Sequence, residues 1–203
     1  MGRKKVIQDE ALLAIARERF VAKGIGASTR EIAHLAGISE AVIYQRFPKK
    51  ADLFFAAMTP PALVLEHVLA ASSEHDDVCG RLEEAALVLM QYFREFVPIL
   101  VPLMSHPSFS FDQFVQRQPE SPLARIRDRL VDYLETQQKL GRVASDSVGP
   151  TVLTLVAALH SFALFEKLGV HGGQFGENDI RAMVRSLWRG LASPDGQSSG
   201  TAP

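Results

Sequence analysis

Residues 39–47 place Tyr44, Gln45 and Arg46 in one short run, and Lys49 and Lys50 follow at once. Gln and Arg form paired hydrogen bonds with flat polar edges, those of adenine and guanine above all. A phenol or an ammonium group donates instead to the oxygens of a phosphate. Ser39, Glu40 and Ala41 open the same stretch and count among the contact candidates. An acid there repels phosphate, so Glu40 either accepts from a cytosine amino group or projects away from nucleic acid. Lys49 and Lys50 stand where a helix should begin, and positive charge there opposes the helix dipole, so something anionic is expected beside them. A phosphate accepting from Lys50 and from the free amides of that first turn would serve. Thr29 is a weaker phosphate candidate at another helix start, with Arg30 beside it placed to reach a groove. An ordinary solvated helix start would explain that pair as well.

No rival chemistry stands out. No G-x-S-x-G elbow, phosphate-cradling glycine loop or dinucleotide fingerprint occurs, so no catalysis and no cofactor are expected. Cys79 is the only cysteine, which leaves no intrachain disulfide and no Cys-based zinc site. No metal is expected. Residues 148–165 form the most apolar stretch, but Pro150, His160 and Ser161 interrupt it. It is expected to fall short of the roughly 20 apolar residues a span requires. No apolar leader follows the N-terminal Met, so a cytoplasmic protein without membrane contact is expected. Residues 1–52 hold ten Lys and Arg against six Asp and Glu, and the remainder twelve against seventeen. A basic head on an acidic body suggests that one end meets a polyanion.

The elements that must position these side chains are helices, since period-2 alternation of apolar and polar residues is nearly absent. Leu12, Leu13, Ala16 and Phe20 mark one face of a helix over about residues 8–23, which Gly24 and Gly26 stop. Ser28 predicts the next N-cap, with Glu31 reaching back in a capping box, and Gly37 its end. Ser39 is expected to cap a third helix through Val42, Ile43 and Phe47, which Pro48 closes. Ile32, Ala36, Ile38, Val42, Ile43 and Phe47 suffice for a small core with Leu13 and Phe20, leaving one face of the third helix free. A fourth helix should start at Lys50 and be disturbed at Pro60 and Pro61. Further helices are predicted over about 76–97, 98–105, 121–140, 147–168 and 177–192. Residues 106–120 read as an ordered loop, and the Gly/Ser/Pro-rich residues 194–203 as a disordered tail.

Residues 28–54 closely resemble the signature of TetR/AcrR-type regulators. The resemblance rests on Arg30-Glu31-Ile32-Ala33, on the turn Ala36-Gly37-Ile38-Ser39, on Ile43-Tyr44-x-x-Phe47 and on Pro48-x-Lys50-x-x-Leu53-Phe54. It spans about residues 8–55 without a gap. It implies an all-α fold: a three-helix helix-turn-helix domain over 1–52 that binds duplex DNA, and a helical ligand-binding and dimerisation bundle over 53–193. It also implies that Tyr44 and Lys50 contact the DNA backbone. Glu40, Ala41 and Val42 depart from the family's usual basic or polar residue, Gly and Thr, so the operator sequence is not legible.

Ten of the twelve Phe residues follow Leu53, with Met58, Met90 and Met104 nearby. Met90, Phe93, Phe96, Met104, Phe109, Phe111 and Phe162 are therefore either plain core or the lining of a lipophilic pocket. His106 and His160 either orient a ligand or are structural. The resemblance implies that the last two helices pair with their twins. Val152, Leu155, Leu159, Phe162, Ile180, Val184, Leu187, Trp188 and Leu191 offer apolar faces for this, or for burial within one chain. The expectation is a homodimeric repressor on a palindromic operator, released by a small apolar effector. The alternatives are an activator or ligand-independent regulator with the same head, or a helical carrier or enzyme.

Overall fold

The computed structural model describes residues 8–59, 77–110, 122–144, 147–170 and 172–191, together with Leu69 and Asp112. Among these the helices are α1 (Asp9–Lys23), α2 (Thr29–Ala36), α3 (Glu40–Arg46), α4 (Lys50–Ala57), α5 (Val78–Met104), α6 (Pro122–Lys139), α7 (Val148–Leu168) and α8 (Glu177–Leu191), with a 3₁₀ turn over Gly24–Gly26. The all-α expectation holds. Pro60, Pro61, Phe111 and the tail lie outside the described residues.

The chain divides into two compact units, one of Met1–Pro61 with Pro98–Arg117 and one of Ala62–Val97 with Gln118–Pro203. In the first, α1 packs on α2 and α4, and α2 on α3. Leu12, Phe20, Ile32, Ile43, Leu53 and Phe54 are its almost fully buried centre. Each such side chain contributes about 1.5–3 kcal/mol over leaving it in water. Leu12 takes the central place, while Leu13 packs at the edge. Ile99 and Leu103 of α5 join this core, and Phe109 packs against it, so its hydrophobic centre draws on residues far beyond Asp52. Arg17 donates to the carbonyl of Ala57 at 2.8 Å, setting a cation at the C-terminus of α4.

The turn between α2 and α3 is fixed by Gly37, whose φ of 67° is left-handed. The Gly37 amide donates to His34 O at 3.1 Å and the Ile38 amide to Ala33 O at 3.0 Å. That reciprocal pair satisfies the last carbonyls of α2 and needs a residue without a Cβ at its hinge.

Two caps differ from expectation. The Ser28 hydroxyl accepts from the Glu31 amide at 3.4 Å. The Glu31 carboxylate, however, turns to Lys23 at 2.8 Å and to Arg19 at 3.5 Å, because these cations satisfy it better than one neutral amide. Ser39 occupies the N-cap of α3 but its side chain makes no cap bond. The predicted helices over 76–97 and 98–105 are one, with Pro98 and Pro102 inside α5. Each proline removes an amide donor, but Ile99 and Leu103 beside them are buried, and packing overrides the local cost.

In the second unit α6 packs on α7, and α8 on α7. Arg94 of α5 donates twice to Glu166 of α7, each at 2.9 Å. Arg181 donates to Glu83 at 3.1 Å and to Glu84 at 2.7 Å, and Arg185 to Glu83 at 3.0 Å, tying α8 to α5. α5 and α7 are each long and apolar enough to cross a membrane. The expected shortfall of residues 148–165 is thereby corrected: Pro150 falls in the first turn of α7, where its missing amide has no partner to lose, so the helix runs 21 residues. α7 buries Val152, Leu155, Leu159 and Ala163, as a core helix does.

Candidate nucleic-acid interface

α3 is anchored by Ile43, which is almost fully buried, with Val42 half-buried beside it. Helical spacing then turns Ala41, Tyr44 and Gln45 to the opposite side, and all three are exposed, as is Ser39. This is one continuous polar face on a slim helix. Arg30 on α2 and Lys49 ahead of α4 are exposed too, and Lys50 is half-buried.

The first turn of α4 carries its own anion. Asp52 accepts from the Lys49 amide at 2.9 Å, so part of the compensation expected from a phosphate comes from within the chain. An acid three residues after the N-cap is the pattern that would have revealed it.

Four candidates are bound to other residues of the chain through three contacts. Arg46 donates to Asp9 of α1 at 2.8 Å and is largely covered. Thr29 is buried and donates its hydroxyl to the carboxylate of Glu40. Tyr44 and Thr29 have their hydroxyl oxygens 3.2 Å apart. Glu40 thus accepts from its own chain. None of these three contacts carries a local sequence signal, since the partners lie 11 to 37 residues apart.

The described aromatic and Met candidates fall in both units. Met90, Phe93 and Phe96 are buried in the second unit. His160 stands edge-on to Phe93 with centroids 5.5 Å apart, and burial holds its imidazole below the usual value. Tyr92 stacks on Phe96 at 5.6 Å. Its buried hydroxyl has no hydrogen-bond partner among the described residues, and burial pushes it up to about 12. Sequence reasoning missed Tyr92, although a lone hydroxyl in an apolar run is a usable signal. Met104 and Phe109 belong to the first unit: Met104 is half-exposed, and Phe109 packs on the helix-turn-helix core. Phe162 stacks on Phe175 at 4.2 Å. His106 also belongs to the first unit, where it stacks on Phe54 at 4.9 Å while its Nδ1 accepts from the Ser108 amide at 3.0 Å.

The apolar faces of α7 and α8 likewise divide. Val152, Leu155, Leu159, Ile180 and Val184 are buried within the chain. Leu82, Leu134, Val152, Leu155, Val184 and Trp188 line a shallow apolar groove there. Among the exposed side chains of α7, the apolar Leu153, Ala157, Phe165 and Leu168 lie on one stripe.

Residues 12–57 match the family model described as bacterial regulatory proteins, tetR family. No curated protein matches the chain by sequence. Among solved structures it is similar to a transcriptional regulator from Saccharomonospora viridis in complex with choline, at 16% identity, 92% of this chain, all of that one and a TM-score of 0.70. It is similar to the SmeT–triclosan complex at 15% identity, 96% of each chain and a TM-score of 0.64. It is also similar to NalD of Pseudomonas aeruginosa, the secondary repressor of the MexAB-OprM multidrug efflux pump, at 19% identity, 91% of this chain, 96% of that one and a TM-score of 0.59. Regulators of this kind bind DNA and small molecules, form dimers and are not enzymes. Residues 12–57 thus carry the pattern of that family's N-terminal domain, and the chain has the fold of such regulators over nine-tenths of its length.

Proposed function

We propose that the protein is a cytoplasmic homodimeric repressor that occupies a palindromic operator through α3 and is released by a small apolar effector. The observation that carries the DNA half is the exposed face of Ala41, Tyr44 and Gln45 over a buried Ile43. In this reading Gln45 reads a base edge, while Tyr44, Lys49, Lys50 and Arg30 serve the backbone. Arg46 acts chiefly by holding α3 to α1 through Asp9.

The dimer rests on the open stripe of α7 together with Ala182, Ser186 and Gly190, small exposed residues spaced by four on α8. Two copies bring two reading heads to two half-sites, which makes a palindrome the natural target. An apolar effector matches the chemistry of the cluster of Met90, Phe93, Phe96 and Tyr92, whose hydroxyl, without a partner among the described residues, offers one polar anchor. SmeT with triclosan and NalD as an efflux-pump repressor share the fold and favour an apolar compound and a repressing role.

The test is capture of duplex fragments from genomic DNA, followed by titration of the recovered site with apolar compounds. One recurrent palindrome whose binding weakens when a compound is added supports the reading. A protein that stays monomeric while Phe165→Glu leaves its mass in solution unchanged contradicts the dimer.

A further inference from the structure

We propose that Glu40 competes with DNA phosphate for the hydroxyl protons of Thr29 and Tyr44, and so restrains binding that is independent of sequence. This rests on α3 and the start of α2 facing DNA. A carboxylate oxygen only accepts, so the single proton of Thr29 is spent on Glu40. The Thr29 oxygen is then left to accept, and the neighbouring Tyr44 hydroxyl donates to it. Both protons therefore run inward along one chain that ends on a negative charge.

Tyr44 is the exposed member of this chain, on the side of α3 turned away from Ile43. To donate to a phosphate it must turn its proton away from Thr29, and Thr29 then loses a donor while still holding Glu40. A backbone contact thus costs an internal hydrogen bond to a chain anchored on charge, which is stronger than one between neutral groups. Base contacts by Gln45 carry no such cost. The arrangement weakens uniform attraction to duplex DNA and leaves discrimination to the base edges.

The test measures binding of the full-length protein to a random-sequence duplex at fixed salt, for the wild type, Glu40→Ala and Glu40→Gln. Each is then repeated on a Thr29→Val/Tyr44→Phe background. Removing the acceptor is expected to tighten binding about tenfold, the scale of one hydrogen bond to a charged group. Glu40→Gln retains a neutral acceptor and gives a smaller gain, and being of the same shape it keeps the test open if Glu40→Ala unfolds. On the background without hydroxyls the gain should shrink to about twofold. An equal gain on both backgrounds overturns the proposal, because the acid then acts by its charge alone. No gain from Glu40→Ala, with Lys50→Ala still weakening binding, overturns the proposal alone. Indifference of binding to Lys50→Ala, Gln45→Ala and Glu40→Ala together overturns the underlying assignment of this face to DNA.

Discussion

Arg46, the last residue of α3, donates to Asp9, the first of α1, at 2.8 Å. The guanidinium is three-quarters covered while the carboxylate is two-thirds exposed, so water screens the pair from one side. Asp9→Asn should therefore cost no more than about 1 kcal/mol of stability. It should also remove the Asp9 carboxylate's hold on Arg46 and tighten binding to duplex DNA. Thermal unfolding and DNA titration of the one variant check both, and a loss of DNA affinity would show that Asp9 orients Arg46 for binding.

Glu166 of the second unit accepts three hydrogen bonds. It takes two bonds from Arg94 and one, at 2.7 Å, from the Phe175 amide, and Arg94 donates to the Phe175 carbonyl at 2.8 Å. Its side chain is only 8% exposed. Glu166→Ala removes the carboxylate from a largely covered guanidinium, leaving it the Phe175 carbonyl, and should destabilise by about 3 kcal/mol. A lowered urea midpoint with an unchanged slope is the expected signature.

His160 gives stability a dependence on pH. Burial holds its folded value below the ordinary imidazole range. Just under about 6.5 the unfolded chain therefore binds more protons than the folded one. Its contribution is fully present above that value and is lost as pH falls through the lower folded value. Unfolding titrations between pH 5 and 8 should show a shallower slope for His160→Gln than for the wild type.

The DNA-binding head was largely legible because its information is local. Ser28, Gly37, Ser39 and Pro48 bound two short helices within about twenty residues, and the period of Ile32, Ala36 and Ile43 assigns the inner face. What escaped depends on contacts distant in sequence. Ile99 and Leu103 complete the core of the first unit from a helix that Pro98 and Pro102 appeared to forbid. The bonds of Thr29, Glu40 and Arg46 join different helices, and no spacing rule reports them. In the second unit periodicity located helices but not their partners. It could not separate Phe93, in the interior, from Phe109, which serves the other unit. It also left Val152 and Leu155 either for a twin or for burial within one chain; they are buried, whereas Leu153, Phe165 and Leu168 are exposed.

The central claim is that α3 reads DNA with one residue type for sequence and another for the backbone. Its most direct test is parallel affinity measurement of Gln45→Ala and Lys50→Ala against the recovered operator and a set of single-base variants of it, over a range of salt. Gln45→Ala should lose about 1–3 kcal/mol on the operator and become indifferent to the base at one position in each half-site. Lys50→Ala should weaken binding to every sequence alike and reduce the salt slope by about one per head. Equal losses from both variants on all sequences, with the base preferences of the wild type intact, would contradict the account.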